Sequence, residues 1–580
     1  MDRHPPRILS DEIDLYTRTY YSLLRSTGEV RVRAFEEAHA YSDSSLHAGA
    51  RDPVPDVAAF AYSAARLPEC MPRVRLVVMG QSHEHFESAG FDVRCWETVR
   101  TRGRRRPLRW DGGETLAAFI TSTSDIDDLV PILTAYQIEW NKLHFALGPA
   151  PLGQLLREAP EGSPVDVEPD DLQRVLGLDA SGVDTLRAAF GTSWDEGMRA
   201  VASRPSDLSV RLLAGSFSQY QRAAQRWWSG IDGVYLQEER PRRRPVYFVS
   251  SNTHSLSNLL GGYALAHQDE IVEFARRKNP ENLAPVLEKA MAGDPSVQKS
   301  NLLYYLLREY IHEDRETGRR RADVQRHDRE SGIVTVETPG RIDVMAQLIE
   351  LSSLQVDRFD PRLPMEGLER LKESDAVILN IDYPLGMAAY HHLSRVGQGV
   401  GELRGIYVMG KAATLNGKVG DAMISSVAYD EHGRNTYLFH NCFRAADVQP
   451  YMRFGTVLDN QKSISARGPF LQNRQYMSTF YREGYTVLEM EAGPYLAAIY
   501  ELVNPSRHPV DQIVHLSHTM PFEVGILHYA SDTPYSRRQS LLSKSLSYFG
   551  VESTYACAIA ILRQILRAEV DRLSESGEGR

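Results

Sequence analysis

The sequence predicts an α/β sandwich around a mixed central sheet in its second half, preceded by a mainly helical first half. Three observations lead there. Apolar stretches of strand length, VYFVSS (246–251), GIVTVET (332–338) and DAVILNI (375–381), alternate with segments of helical periodicity from 246 to 570. The first 240 residues are dominated by helical patterns instead. A proline and arginine run at 241–245 separates the two regions. The expected division is therefore a mainly helical domain at 1–240 and a second domain at 241–580, with a long helical passage at about 264–321.

In the first region, SDEIDLYTRTYYSLLR opens with a capping pattern and continues as a helix, and DIDDLVPILTAYQIEWNKLHFAL (125–147) is a strong helix with an early interruption expected at Pro131. VRLVVMG (74–80) is a short strand followed by QSHEHF, whose His83, Glu84 and His85 suit either a polar loop or a metal site, with no third ligand fixed nearby. WDEGMRAVASR and LSVRLLAGSFSQYQRAAQRWW add further helices. In the second region, VYFVSS is a buried first strand. Ser250, Ser251, Asn252, Thr253 and His254 then lie either at the ligand-binding carboxyl edge of a sheet or in a surface turn with a cap. RIDVMAQLIELSSL reads as a helix.

Composition excludes several classes. The 580 residues are 42% hydrophobic and 24% charged, ordinary for a large globular protein, and the net charge of −10 opposes general affinity for nucleic acid. The arginine clusters at 103–109, 241–245 and 318–321 are short, and read either as partners of local acids or as phosphate-steering groups. Four cysteines without a Cys-x-x-Cys spacing provide neither a disulfide framework nor a cysteine-rich zinc site. No apolar run approaches the ~20 residues needed to span a bilayer, and the first residues lack a signal peptide's apolar segment, so the expected location is cytoplasmic. No membrane partner, cofactor or metal is expected.

The chemistry concentrates in VLEMEAGPYLAAIYE, where Glu489, Met490 and Glu491 stand at the mouth of a helix. A carboxylate can accept from two adjacent ribose hydroxyls, a neighbouring one can take a third, and a thioether offers a soft surface to a sugar. Acids at a solvated helix start, favoured by the helix dipole, are the alternative. Upstream, GIYVMGKAATLNGKVGDAMISS combines an apolar strand at 406–409, a small-residue turn at 410–414 containing Gly410, Lys411 and Ala412, and a second strand start. YPLGMAAYHHL (383–393), GTVLDNQKSI (455–464) with Ser463, and FEVGILHYASDTP (522–534) with Ser531 and Asp532 complete an ordered set.

In this order the motifs resemble the superfamily of purine nucleoside phosphorylases and methylthioadenosine/adenosylhomocysteine nucleosidases. The resemblance covers the second half only. It implies a three-layer sandwich with a mixed central sheet, in which the helical passage at about 264–321 is an insertion. It also implies cleavage of an N-glycosidic bond in a nucleoside or nucleotide, with Glu491 on the ribose hydroxyls, Met490 on the sugar face, Glu489 assisting, and Asp532 in the Ser531-Asp532 pair as general acid. A cap for a helix after Pro534 is the other reading of Asp532. A homo-oligomer is expected.

Departures from the family pattern are informative. Val408 stands where phosphorylases commonly carry a phosphate-gripping arginine, and its apolar side chain cannot form the bidentate clamp, so water is the expected nucleophile and inorganic phosphate the alternative. Lys411 suits a phosphate, including a substrate's own 5′-phosphate, or a structural ion pair. Ala413 replaces a family glycine. Ser463 replaces the aromatic residue that stacks on the base, leaving Phe470, Tyr476 and Tyr383 as substitutes. Arg537 and Arg538 read as helix-surface residues or as groups tuning Asp532. A nucleotide-sensing scaffold that has lost turnover is the alternative from another class; the pairing of Glu491 with Asp532 opposes it.

Overall fold

The computed structural model describes residues 11–26, 28–103, 106–160, 162–165, 167–236, 243–516, 520–533 and 548–578. Pro241, Pro534, Arg537, Arg538 and the first ten residues lie outside them.

The first region carries a sheet of its own. Strands β1 (Val30–Arg31), β2 (Leu76–Gly80), β3 (Glu97–Val99), β4 (Leu108–Trp110), β5 (Thr115–Phe119) and β6 (Ser209–Leu212) pair in the order β1-β6-β2-β5-β4-β3, and β2 runs parallel to both β5 and β6. Of these, sequence patterning finds β2; the helix expected across LSVRLL is instead β6, because Val210 is fully buried in a four-residue strand against β1 and β2. The helix Thr123–Leu147 runs unbroken through Pro131. It starts with a capping box between Ser122 and Asp125, and its buried Asp125 and Asp128 pair with Arg106 at 3.1 and 2.9 Å. This arginine of the 103–109 cluster therefore serves local acids.

The second region holds an eleven-stranded mixed sheet made of β7 (Pro245–Ser250), β8 (Ile333–Val336), β9 (Ala346–Glu350), β10 (Val377–Ile381), β11 (Glu402–Thr414), β12 (Ala422–Asp430), β13 (Asn435–Leu438), β14 (Val457–Ser465), β15 (Val487–Glu489), β16 (Ile513–His515) and β17 (Glu523–Asp532). Burial of both faces explains the apolar strands. Val246 and Phe248 join a core beneath the helices Phe217–Leu236, Met387–Gly399 and Ala492–Val503, whereas Tyr247 and Val249 join another with the helices Lys299–Glu313 and Tyr548–Glu578. Residues 346–350, expected as helix, form β9: Ala346, Leu348 and Ile349 are buried between β8 and β10.

Two features position the site. β11 pairs with β17, β17 with β12, β12 with β14, β14 with β15, and β15 with β11, so five strands close into a ring. β11 itself continues through Thr414, and the turn expected at 410–414 is strand with a bulge between Ala412 and Ala413. On one edge β11 pairs with β7 as far as Val408 and with β15 from Ala413, so residues 409–412 face a gap between those two strands.

Candidate active site at the split in the sheet

Gly410 stands in that gap. A Cβ there would meet the rings of Tyr383 and His528, each at 3.8 Å. Tyr383 follows the carboxyl end of β10 and its hydroxyl lies 3.1 Å from that of Tyr529. His528, on β17 opposite Gly410, is fully enclosed, and its Nε2 lies 4.0 Å from Glu489 Oε2. Burial pushes the imidazole down to about 4, and Nδ1 has no hydrogen-bond partner. Buried polar atoms are rarely left unpaired unless a ligand or water meets them. At the same end of the sheet the buried Tyr495 hydroxyl faces Ser250, and the Asn252 side chain faces the Tyr383 and Tyr529 hydroxyls.

Glu489 has a different part from Glu491. Its Oε2 accepts the amides of Glu491 and Ala492 at 2.6 and 2.7 Å, and its Oε1 meets the hydroxyl of Ser465, which accepts the Gly493 amide at 2.6 Å. These bonds tie β15 and β14 to the first turn of the Ala492–Val503 helix, satisfying amides that a helix start leaves open. Burial first, and the neighbouring Glu491 carboxylate second, push Glu489 up to about 8. Glu489 thus stands as a buried acid that shapes the turn, while Glu491, half-buried at the helix N-cap, presents its carboxylate at the surface of that turn.

Glu491 Oε1 accepts the amide of Gly386 at 3.3 Å. Gly386 has φ +50°, and a Cβ there would stand 2.3 Å from Ser124 Oγ, so the close approach requires glycine. Ser124 belongs to the first region. Its Oγ accepts the Met387 amide at 2.9 Å and lies 3.1 Å from His432 Nε2, while His432 Nδ1 lies 3.0 Å from Asp430 Oδ1. With a carboxylate facing Nδ1, that nitrogen carries the proton and Nε2 accepts the Ser124 hydroxyl. The two halves of the chain are therefore joined beside Glu491 by a Ser124, His432 and Asp430 relay, supported by the pair between Arg467 and Asp127 at 3.1 Å.

Of the residues singled out in the sequence, Glu489, Met490, Glu491 and Gly410 share this region. Ala412 is buried inside the ring with Met423, Val487 and Ala530. Lys411, exposed, is turned by strand alternation to the face opposite Gly410 and His528. Ser463 is fully buried, with its hydroxyl on Val427 O at 3.3 Å; two residues on, Ser465 is the serine that reaches Glu489. Ser531 donates to Asp532 Oδ2 at 2.9 Å, and the bulge puts Asp532 opposite Ala413, across β11 from Leu488. His528, rather than Asp532, is the β17 side chain against Glu489. Among the three aromatic candidates, Tyr383 reaches the site, Phe470 packs in the core of the first region, and Tyr476 packs on Phe480. Asn252 Oδ1 caps the following turn by accepting the amides of His254 and Ser255. Ser124 carries no motif; Gly386 is the glycine of YPLGMAAYHHL, Ser465 directly follows GTVLDNQKSI, and His528 sits inside FEVGILHYASDTP, where its place on an apolar strand was the available signal. Among the described residues, no group of three or more His, Cys, Asp or Glu is placed to hold a metal, and no helix is long and apolar enough to cross a membrane.

Residues 32–567 match a family described as a family of unknown function, DUF6909. The chain belongs to the DUF6909 family. No curated protein matches this DUF6909 chain. Among solved structures, it is similar to a protein assigned as a methylthioadenosine nucleosidase from Weissella paramesenteroides, at 10% identity and a TM-score of 0.25, over 40% of this chain and 87% of the other. It is also similar to isoform 2 of uridine phosphorylase from Schistosoma mansoni in complex with citrate, at 13% identity and a TM-score of 0.23, over 33% of this chain and 70% of the other. Uridine phosphorylase from Schistosoma mansoni in complex with uracil gives 11% identity and a TM-score of 0.23, over 33% and 71%. Similarity at this level assigns the DUF6909 chain neither substrate nor reaction.

Proposed function

We propose that this protein cleaves the N-glycosidic bond of a nucleoside or nucleotide, with water as the nucleophile. The observation that carries the reading is the division of labour in the Glu489-Met490-Glu491 turn. One carboxyl is buried and holds the turn through two amides and a hydroxyl, which fixes the second, Glu491, at the edge of the gap in the sheet. A fixed carboxylate suits two vicinal hydroxyls of a ribose, and Met490, half-buried beside it, suits the sugar face. The helices on both faces of β7, β10 and β11 support the three-layer architecture that the motif resemblance implies.

Loss of the base passes through a sugar of oxocarbenium character, so the departing nitrogen needs a proton and the sugar carbon an oxygen nucleophile. Asp532 is our choice for the acid, from its place in the motif set and its partly buried position at the end of β17. Tyr383, at the mouth of the gap, is our choice for the surface that meets the base. Val408, buried in the apolar core and paired with Ser250, supports water over phosphate: no guanidinium stands at that position. Product analysis tests the reading. Purified protein given adenosine, methylthioadenosine, uridine and their 5′-phosphates is expected to release free base and free sugar without added phosphate. A strict requirement for phosphate with formation of sugar 1-phosphate makes it a phosphorylase, and release of no base from any of them removes the catalytic reading.

A further inference from the structure

The carboxyl edge of the N-terminal sheet carries a second set of groups that the reaction above leaves unused. β2, β5 and β6 are adjacent and parallel, so their carboxyl ends open on one side, the side on which α/β sheets bind ligands. Gln81 follows β2 directly. It is 6% exposed, and neither its Nε2 nor its Oε1 has a hydrogen-bond partner. Arg226, half-buried, reaches only the Gln81 carbonyl, at 3.5 Å, and among the described residues no carboxylate stands within salt-bridge distance of it. Glu84 acts on it electrostatically without forming an ion pair, and burial still outweighs that help, so an anion seated directly on the guanidinium would relieve the remaining cost. Arg222, one turn earlier on the same helix face, is exposed at the entrance.

On the helix His83–Ser88 that follows β2, His85 leaves a buried Nδ1 without a partner; His83, two residues earlier, also has an unpartnered Nδ1 but packs on Phe119. Both imidazoles are held below their ordinary value, first by partial burial and then by arginines: Arg109, Arg341 and Arg94 around His83, and Arg226 and Arg222 around His85, with Glu84 the opposing acid. The charge surplus is therefore local and positive.

We propose that Arg226, Arg222, His85 and the amide of Gln81 form a binding site for the phosphate group of a small phosphorylated molecule. A guanidinium fork matches the oxygens of phosphate, and the carboxamide, both donor and acceptor, suits a neighbouring hydroxyl. The site lies in the other half of the chain from Glu491 and does not depend on the glycosidic reading.

Titration calorimetry of the whole protein with inorganic phosphate, ribose 5-phosphate and ribose tests it, together with the melting temperature in each ligand. The two phosphates are expected to bind and raise the melting temperature, and ribose is not. Arg226→Gln and, independently, the surface variant Arg222→Gln are expected to weaken phosphate binding by at least about tenfold, as loss of a charge-assisted contact does. Glu491→Gln is expected to leave it unchanged. Ribose 5-phosphate binding more tightly than phosphate identifies a phosphorylated sugar as the ligand; equal binding identifies phosphate alone. The proposal is overturned if neither phosphate binds, if both arginine variants bind as wild type does, or if binding disappears in Glu491→Gln while surviving in Arg226→Gln, which would assign the anion to the other site.

Discussion

Ser124 Oγ and His432 Nε2 lie 3.1 Å apart, joining the first helix turn after β5 to the loop after β12 next to the Glu491 turn. Ser124→Ala removes both the donor to His432 and the acceptor of the Met387 amide, leaving two half-buried groups unpaired. Such losses cost roughly 1–3 kcal/mol each when water cannot enter. The expected outcome is a lower urea midpoint and faster hydrogen exchange at the Gly386 and Met387 amides, with helix Lys299–Glu313 unaffected. Unchanged exchange at Gly386 and Met387 would show that the relay does not hold this loop.

Glu491→Gln keeps the size of the side chain and its bond from Gly386 while losing the charge. Charge-assisted hydrogen bonds contribute roughly 1.5–3 kcal/mol each, so turnover of a ribonucleoside is expected to fall by about tenfold to several hundredfold, with the melting temperature kept. Discrimination between adenosine and 2′-deoxyadenosine is expected to shrink alongside it. A variant as active and as selective as wild type would take Glu491 out of the sugar site.

Glu489 gives a pH signature. Its folded value is raised to about 8 from an ordinary 4.5, so the folded state holds a proton that the unfolded state has lost. Its contribution to stability is therefore complete below about 4.5 and is lost as pH rises towards about 8. In Glu489→Gln this loss is expected to vanish, so wild type loses stability relative to the variant over that interval, by at most about 1.4 kcal/mol per pH unit for one proton. His528 titrates in the opposite sense at lower pH, and the comparison at each pH cancels it to first order. Denaturant melts from pH 5 to 8 check this; a constant difference between the two proteins would show that Glu489 ionises normally.

For Asp532, substitution by Asn is expected to lower the rate by on the order of 10²–10⁴, as removal of a positioned acid does, and less for nucleosides whose base departs readily as an anion. The measurement is kcat over a series of leaving groups. Equal losses across the series would mark Asp532 as a structural partner of Ser531, to which it is hydrogen-bonded at 2.9 Å.

Much of the second half was legible in the chain itself. β7, β8 and β10 are apolar runs of strand length, and the acids around Met490 announce a helix start by composition. The local pattern failed where long-range pairing overrode it. Residues 346–350 have helical spacing but are held as a strand by β8 and β10 on either side, and β11 runs through its small residues because β17 pairs with it as far as Ala413. No window along the sequence contains that information.

The sequence by itself set two carboxylates and a thioether side by side at 489–491, because they are covalently adjacent. Only the tertiary structure decided how they divide the work. Glu489 and Glu491 are alike in type and differ in environment: Ser465 and two amides enclose the first, while Gly386 meets the second at the edge of the sheet. The same holds for His528, whose partner Glu489 lies on the far side of β11, and for Ser124 and His432, which stand 308 residues apart. Burial and partner geometry set the protonation and exposure of a group, and both arise from contacts between distant segments, which the order of residues does not display.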